Sequence, residues 1–142
     1  MLIADILRAK GSSVVTCGGT DTVTSLLARL ADHKIGAVVV TEGTRIVGIV
    51  SERDVVRAIN RSGPAVLSAP VSDLMTSPVI CAAPGDSIND IASQMTNRRI
   101  RHMPVQVSGE LAGIVTIGDV VAARIRELEQ TRGQLENYIT GG

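Results

Sequence analysis

Ser51-x-x-Asp54 and Thr116-x-x-Asp119 each place a hydroxyl three residues ahead of a carboxylate, inside GIVSERD (48–54) and GIVTIGD (113–119). Two chemistries suit that spacing. A Ser or Thr at a helix N-cap with an acid three residues on resembles a capping box, although Asp is shorter than the usual Glu or Gln. The same turn offers backbone N–H groups to an anion, and a carboxylate just inside it can accept the paired hydroxyls of a ribose. The cap alone accounts for both side chains, and a capped turn can still bind, so both readings stay open here.

A cationic run is the second feature. RRIRHMPV (98–105) carries Arg98, Arg99, Arg101 and His102 between a helical pattern and an apolar run. A guanidinium grips phosphate bidentately, so Arg101 beside a helix N-terminus would make a phosphate site. Taken by itself, a solvated loop is the simpler reading of this run. Classical enzyme chemistry has little to work with. The only histidines are His33 and His102, and neither Cys17 nor Cys81 sits in a CxxC, a metal spacing or a base-and-nucleophile pattern. The chain therefore reads as a non-enzyme without a metal, and both cysteines as small apolar strand residues.

The elements that hold these residues come from a repeat. Asp119 minus Asp54 is 65, and the same shift pairs Asp21 with Asp86, Ile35 with Ile100, Val40 with Val105 and Gly48 with Gly113. Upstream the shift drifts to 68, matching IADIL (3–7) with VSDLM (71–75). In each copy Val23, Leu26, Leu27, Leu30 or Ile88, Ile91, Ala92, Met95 trace a helical stripe, for which Asp21 and Asp86 are the expected N-caps. Hairpins follow, AVVV to IVGIV (37–50) and MPVQV to LAGIV (103–115), and then helices from about Glu52 and Ile117. Short strands near Val14–Cys17 and Val79–Cys81 precede each stripe. The expected fold is α/β of the α+β kind: β-α-β-β-α twice. The first motif spans 1–62, a Pro/Gly/Ser-rich linker 63–70, the second motif 71–125 and a helical extension 126–142. One unit has a thin core, so the two are expected to pack together.

Composition narrows the function classes. The 142 residues hold no Trp, no Phe and one Tyr, so base stacking on aromatics is not available. Fourteen basic residues balance fourteen acidic ones, and nothing favours nucleic acid or an anionic membrane surface. No apolar run approaches the roughly 20 residues of a membrane span, and MLIADILRAK does not read as a signal peptide. A cytoplasmic location is expected. In the last helix Ile125, Leu128, Leu135 and Tyr138 can line one side, with Gly133 weakening the run; homodimer contact is preferred to intrachain packing. Gly141-Gly142 reads as a frayed end.

The repeat order, with GIVSERDVV, GIVTIGDVV and RIRHMPV, closely resembles the CBS-domain family, named for cystathionine beta-synthase. The resemblance covers roughly residues 2–125, and small bacterial members look most similar. It implies a pseudo-two-fold pair with two clefts for an adenine nucleotide: AMP, ADP, ATP, NAD or S-adenosylmethionine. Asp54 and Asp119 match the ribose-binding aspartates, Ser51 and Thr116 the hydroxyls beside them, and Arg101 a position that often contacts phosphate. The family's clefts mix the copies. By that pattern the Asp119 cleft takes its base pocket from Val15, Ile35 and Ala37, with Lys10 approaching the phosphates. The Asp54 cleft takes its own from Val79, Ile100 and His102. Gly36 stands where the second copy has Arg101, and Gly118 where the first has Arg53, so unequal affinities are expected, with Asp119 the surer site. The family implies a regulatory module acting on its dimer and on a regulated protein; the alternative is a structural dimerisation module with no small-molecule ligand.

Overall fold

The computed structural model describes residues 1–140; the reading of Gly141-Gly142 as a frayed end lies outside them. Five helices, α1 (Ile3–Lys10), α2 (Val23–His33), α3 (Glu52–Ser62), α4 (Ile88–Arg98) and α5 (Ile117–Ile139), surround one sheet. Its strands are β1 (Thr16–Cys17), β2 (Ala37–Glu42), β3 (Arg45–Ser51), β4 (His102–Val107) and β5 (Glu110–Thr116), in the order β1-β2-β3-β5-β4. The α+β expectation holds, as do the two motifs and the long last helix. β2–β3 and β4–β5 are antiparallel hairpins, each with a register shift at an equivalent place, Val40/Thr41 and Val105/Gln106. α2 and α4 also end alike, on Lys34 and Arg99 in the left-handed region.

Two local expectations are corrected. The N-caps of α2 and α4 are Thr22 and Ser87, whose hydroxyls accept from Ser25 N and Asp90 N at 3.1 Å. Asp21 and Asp86 turn back instead, accepting from Gly18 N and Ala83 N, and so brace the loop ahead of each helix. The lead-in strand of the first copy is β1, but that of the second is a single parallel bridge between Ala82 and Val105. Gly133 does not interrupt α5, and the linker contains a 3₁₀ helix over Pro64–Ser68.

The lead-in segments are exchanged between the copies. Ile3 and Ile6 of α1 bury in a core with Ile88, Ile91, Met95, Met103 and Val120 of the second copy. Val71 buries with Val23, Leu26, Val38 and Val50 of the first. The backbone repeats the swap: Ile3 N donates to Asp86 O, and Val71 N to Asp21 O. The two strand glycines that recur in the repeat make room for it. A Cβ on Gly48 would meet Met75 Cγ at 2.9 Å, and one on Gly113 would meet Leu7 Cδ2 at 2.7 Å. Leu7 and Met75 are themselves equivalent at the shift of 68. The glycines of GIV are therefore packing positions, where the other copy's lead-in crosses the strand.

Candidate functional site in the Asp54 cleft

β3 runs into α3 at Ser51, and there both halves of the capping box form. Ser51 N donates to Asp54 Oδ2 at 2.8 Å, and Asp54 N donates to Ser51 Oγ at 3.2 Å. The Asp side chain is long enough after all. The box holds Asp54 by Oδ2 only; among the described residues no donor reaches its Oδ1. Glu52 N donates to Gly36 O, which ties the start of α3 to the end of the α2–β2 loop.

A cavity of about 560 Å³ opens beside this turn, a size that suits a small organic ligand. Ser51, Arg53 and Asp54 line one side, and Ile100, Arg101 and His102 the other, with Val79 and Ala37 also in the wall. Five arginines, Arg53, Arg57, Arg98, Arg99 and Arg101, face it against two carboxylates, Glu52 and Asp54. All five are exposed, and among the described residues none lies within ion-pair distance of a carboxylate. A smaller cavity of about 270 Å³ adjoins it and shares Arg53, Arg99, Ile100 and Arg101.

His102 sits where the copies meet. It pairs with Thr116 across β4–β5, yet a Cβ on Gly36 would stand 3.4 Å from its Cε1. Burial lowers its pKa below the usual 6.5; Arg101 and Lys10 add to that, while Glu52 and Asp119 oppose it. Burial thus favours the neutral imidazole, at a point that feels Glu52 of one turn and Asp119 of the other.

The second turn has the same box and a different outcome. Thr116 N donates to Asp119 Oδ2 at 2.9 Å, and Asp119 N to Thr116 Oγ1 at 3.1 Å. Lys10 Nζ then reaches the same oxygen at 2.7 Å and also donates to Ile114 O at 3.1 Å. In the first copy the equivalent carbonyl, Ile49 O, accepts from the backbone of Thr76. An ammonium at the end of α1 thus stands where the other half has a peptide N–H. Burial pushes the Asp119 carboxyl up, but hydrogen bonds from Lys10 and Thr116 outweigh it, and the net shift is downward. The arginines have no cationic match at Gly36, Gly118 and Ala122, and only His33 and Lys34 answer Arg98 and Arg99.

The CBS domain family model matches residues 3–61 and 71–126, both copies of the repeat. The chain belongs to the CBS domain family. As a CBS pair it is 35% identical to the mitochondrial CBS domain-containing protein CBSX3 of Arabidopsis thaliana, over 99% of this chain and 72% of that one. A crystal structure of a CBS-domain protein from Agrobacterium tumefaciens superposes with a TM-score of 0.84 at 42% identity, covering 87% of this chain and 99% of the other. A CBS domain protein of Pyrobaculum aerophilum complexed with AMP superposes with a TM-score of 0.75 at 28% identity, covering 84% and 89%.

Of the residues singled out by sequence, the CBS pair brings Ser51, Arg53, Asp54, Val79, Ile100, Arg101 and His102 to one cavity. Ala37, which pairs with Ser51 across the β2–β3 hairpin, also borders this cavity. Val15 and Ile35 pack against the core of the first motif. Lys10 is at the Asp119 end, but bound to the carboxylate itself. Arg57 and Ile49 went unnoticed in the sequence. Arg57 lies one helical turn after Arg53, which was the available signal. Cys17 is buried and Cys81 half-buried, and burial pushes both thiols up, away from thiolate reactivity. Among the described residues no helix is long and apolar enough to cross a membrane.

Proposed function

We propose that this CBS pair is a non-enzymatic regulatory module that binds an adenine nucleotide in the Asp54 cleft and relays its presence through a homodimer to a regulated protein. The observation that carries the reading is the open Oδ1 of Asp54 in a cavity with five unpaired arginines. Asp54 accepts the ribose hydroxyls, the guanidiniums hold the phosphate, and Val79 and Ile100 flank the base. The AMP complex of the Pyrobaculum relative supports the ligand class. The surplus of positive charge favours AMP, ADP, ATP or NAD over S-adenosylmethionine, whose sulfonium and ammonium would meet like charges.

The Asp119 cleft is the weaker site in this reading, in reverse of the ranking drawn from sequence. A ribose there meets a carboxylate whose charge Lys10 already offsets, and few cations remain for its phosphate. The test is a thermal-shift panel of AMP, ADP, ATP, NAD and S-adenosylmethionine. A rise in melting temperature with the phosphorylated ligands supports the reading. Flat traces across the panel support the alternative, a dimerisation module without a ligand, which the completeness of both capping boxes favours.

A further inference from the structure

α5 leaves the body of the molecule. Val120 and Ala123 are buried, but from Leu128 to the helix end every residue except Gly133 is exposed. A dozen helical residues with nothing packed on them are marginal in water, because helices in proteins depend on burying an amphipathic face. Such a face is present. Val121, Ile125, Leu128, Leu135 and Ile139 are between 50% and 80% exposed. Their spacings are 4, 3, 7 and 4, and Arg132 occupies the position that the 7 skips. This is the alternation of a heptad repeat, with Ile125, Arg132 and Ile139 at a, and Val121, Leu128 and Leu135 at d. Tyr138 falls at g, beside the seam.

We propose that α5 pairs in parallel with α5 of a second copy of this chain, as a two-stranded coiled coil over Val121–Ile139. This rests on the homodimer in the proposed function and not on its nucleotide. Ile at a with Leu at d favours two strands in parallel, and a single basic residue at a fixes register at some cost in stability. Glu136 Oε1, 3.0 Å from Arg132 Nε, offsets that charge within the helix. The flanking charges select the direction. In a parallel pair, g faces e of the next heptad, so Arg124 meets Glu129 of the second copy. In an antiparallel pair, e faces e, and Glu129 meets Glu136. Arg124 lies 3.2 Å from Glu127 within its own helix and is half-exposed, free to share its guanidinium across the seam.

Light scattering and disulfide trapping test this on the full chain. The chain is expected at twice its 14.8 kDa mass, and Leu128→Glu/Leu135→Glu at the single mass, with the circular-dichroism melting of the body kept. Leu135→Glu alone, beyond the last buried position of α5, should weaken the dimer in the same direction if the double variant folds poorly. In a Cys17→Ala/Cys81→Ala background, Leu128→Cys should form an intermolecular disulfide on mild oxidation. A monomeric wild type would remove the dimer and this pairing together. A dimer indifferent to the Leu128 and Leu135 changes would remove the α5 pairing alone, and failure of Leu128→Cys to cross-link would remove the parallel direction.

Discussion

Lys10 Nζ lies 2.7 Å from Asp119 Oδ2, while the equivalent carboxylate, Asp54, has no cation within ion-pair distance among the described residues and borders a cavity lined by arginines. One duplicated fold thus carries two versions of one turn. The first borders an open cavity, and the second holds an internal counter-ion. The exchange of lead-in segments is what delivers Lys10, because α1 crosses to the second motif and ends at its aspartate.

Removing Lys10 should be visible at Asp119 directly. Its folded pKa is depressed, so the group contributes stability that is present above the unfolded value near 3.8 and is lost as pH falls through the folded value. Carboxyl NMR should find the wild-type midpoint below 3.8, and Lys10→Met should move it upward. The pair is partly exposed, so the cost of Lys10→Met at neutral pH should stay within about 1 kcal/mol. An unmoved midpoint would show that Lys10 does not engage Asp119 in solution.

His102 gives a pH dependence of its own. Burial holds its folded pKa below 6.5, so under acid conditions the unfolded chain takes a proton that the folded chain resists. Stability should therefore fall as pH drops below 6.5, and His102→Gln should flatten that slope. A phosphate bound in the cleft would raise the pKa of the imidazole. Nucleotide affinity should then increase from pH 8 to pH 6, with proton uptake measurable by calorimetry in buffers of different ionisation enthalpy.

Arg101 should act through phosphate. Arg101→Ala removes a charge-assisted contact worth about 1.5–3 kcal/mol, roughly tenfold or more in affinity for AMP. Binding of adenosine, which has no phosphate, should change little. Equal losses for the two ligands would indicate that Arg101 shapes the cleft without contacting the phosphate.

Gly48→Ala tests the crossing of the lead-in segment. The new methyl would press on Met75 Cγ and Cβ, at 2.9 and 3.2 Å. Overpacking of this kind costs about 1–3 kcal/mol, a fall in Tm of about 3–9 °C for a chain of this size. The same change in a Met75→Ala background should be markedly milder. Additive effects would mean that Met75 does not lie over Gly48.

The repeat was legible because a shift of 65 preserves strand glycines, helix stripes and the two acids alike. The pairing of Ser51 with Asp54 could be read for the same reason, since a capping box is local. The caps of α2 and α4 were displaced by one residue because Asp21-Thr22 and Asp86-Ser87 each offer two competent side chains, and only geometry says which faces the helix. Periodicity marked Ile3, Ile6 and Val71 as apolar without saying which motif they cover. That exchange left one trace, Gly48 and Gly113 in the middle of apolar strands. Ala37 was not expected beside Ser51 because a hairpin register, not a spacing, carries it there. The ammonium on Asp119 is a tertiary contact between residues 109 positions apart, which no local pattern records.

Isothermal titration calorimetry with AMP, run on the wild type, Asp54→Ala and Asp119→Ala, bears most directly on the inequality of the two clefts. One strong site per chain is expected, abolished by Asp54→Ala and kept by Asp119→Ala. Strong binding that survives Asp54→Ala, or is lost in Asp119→Ala, would contradict it.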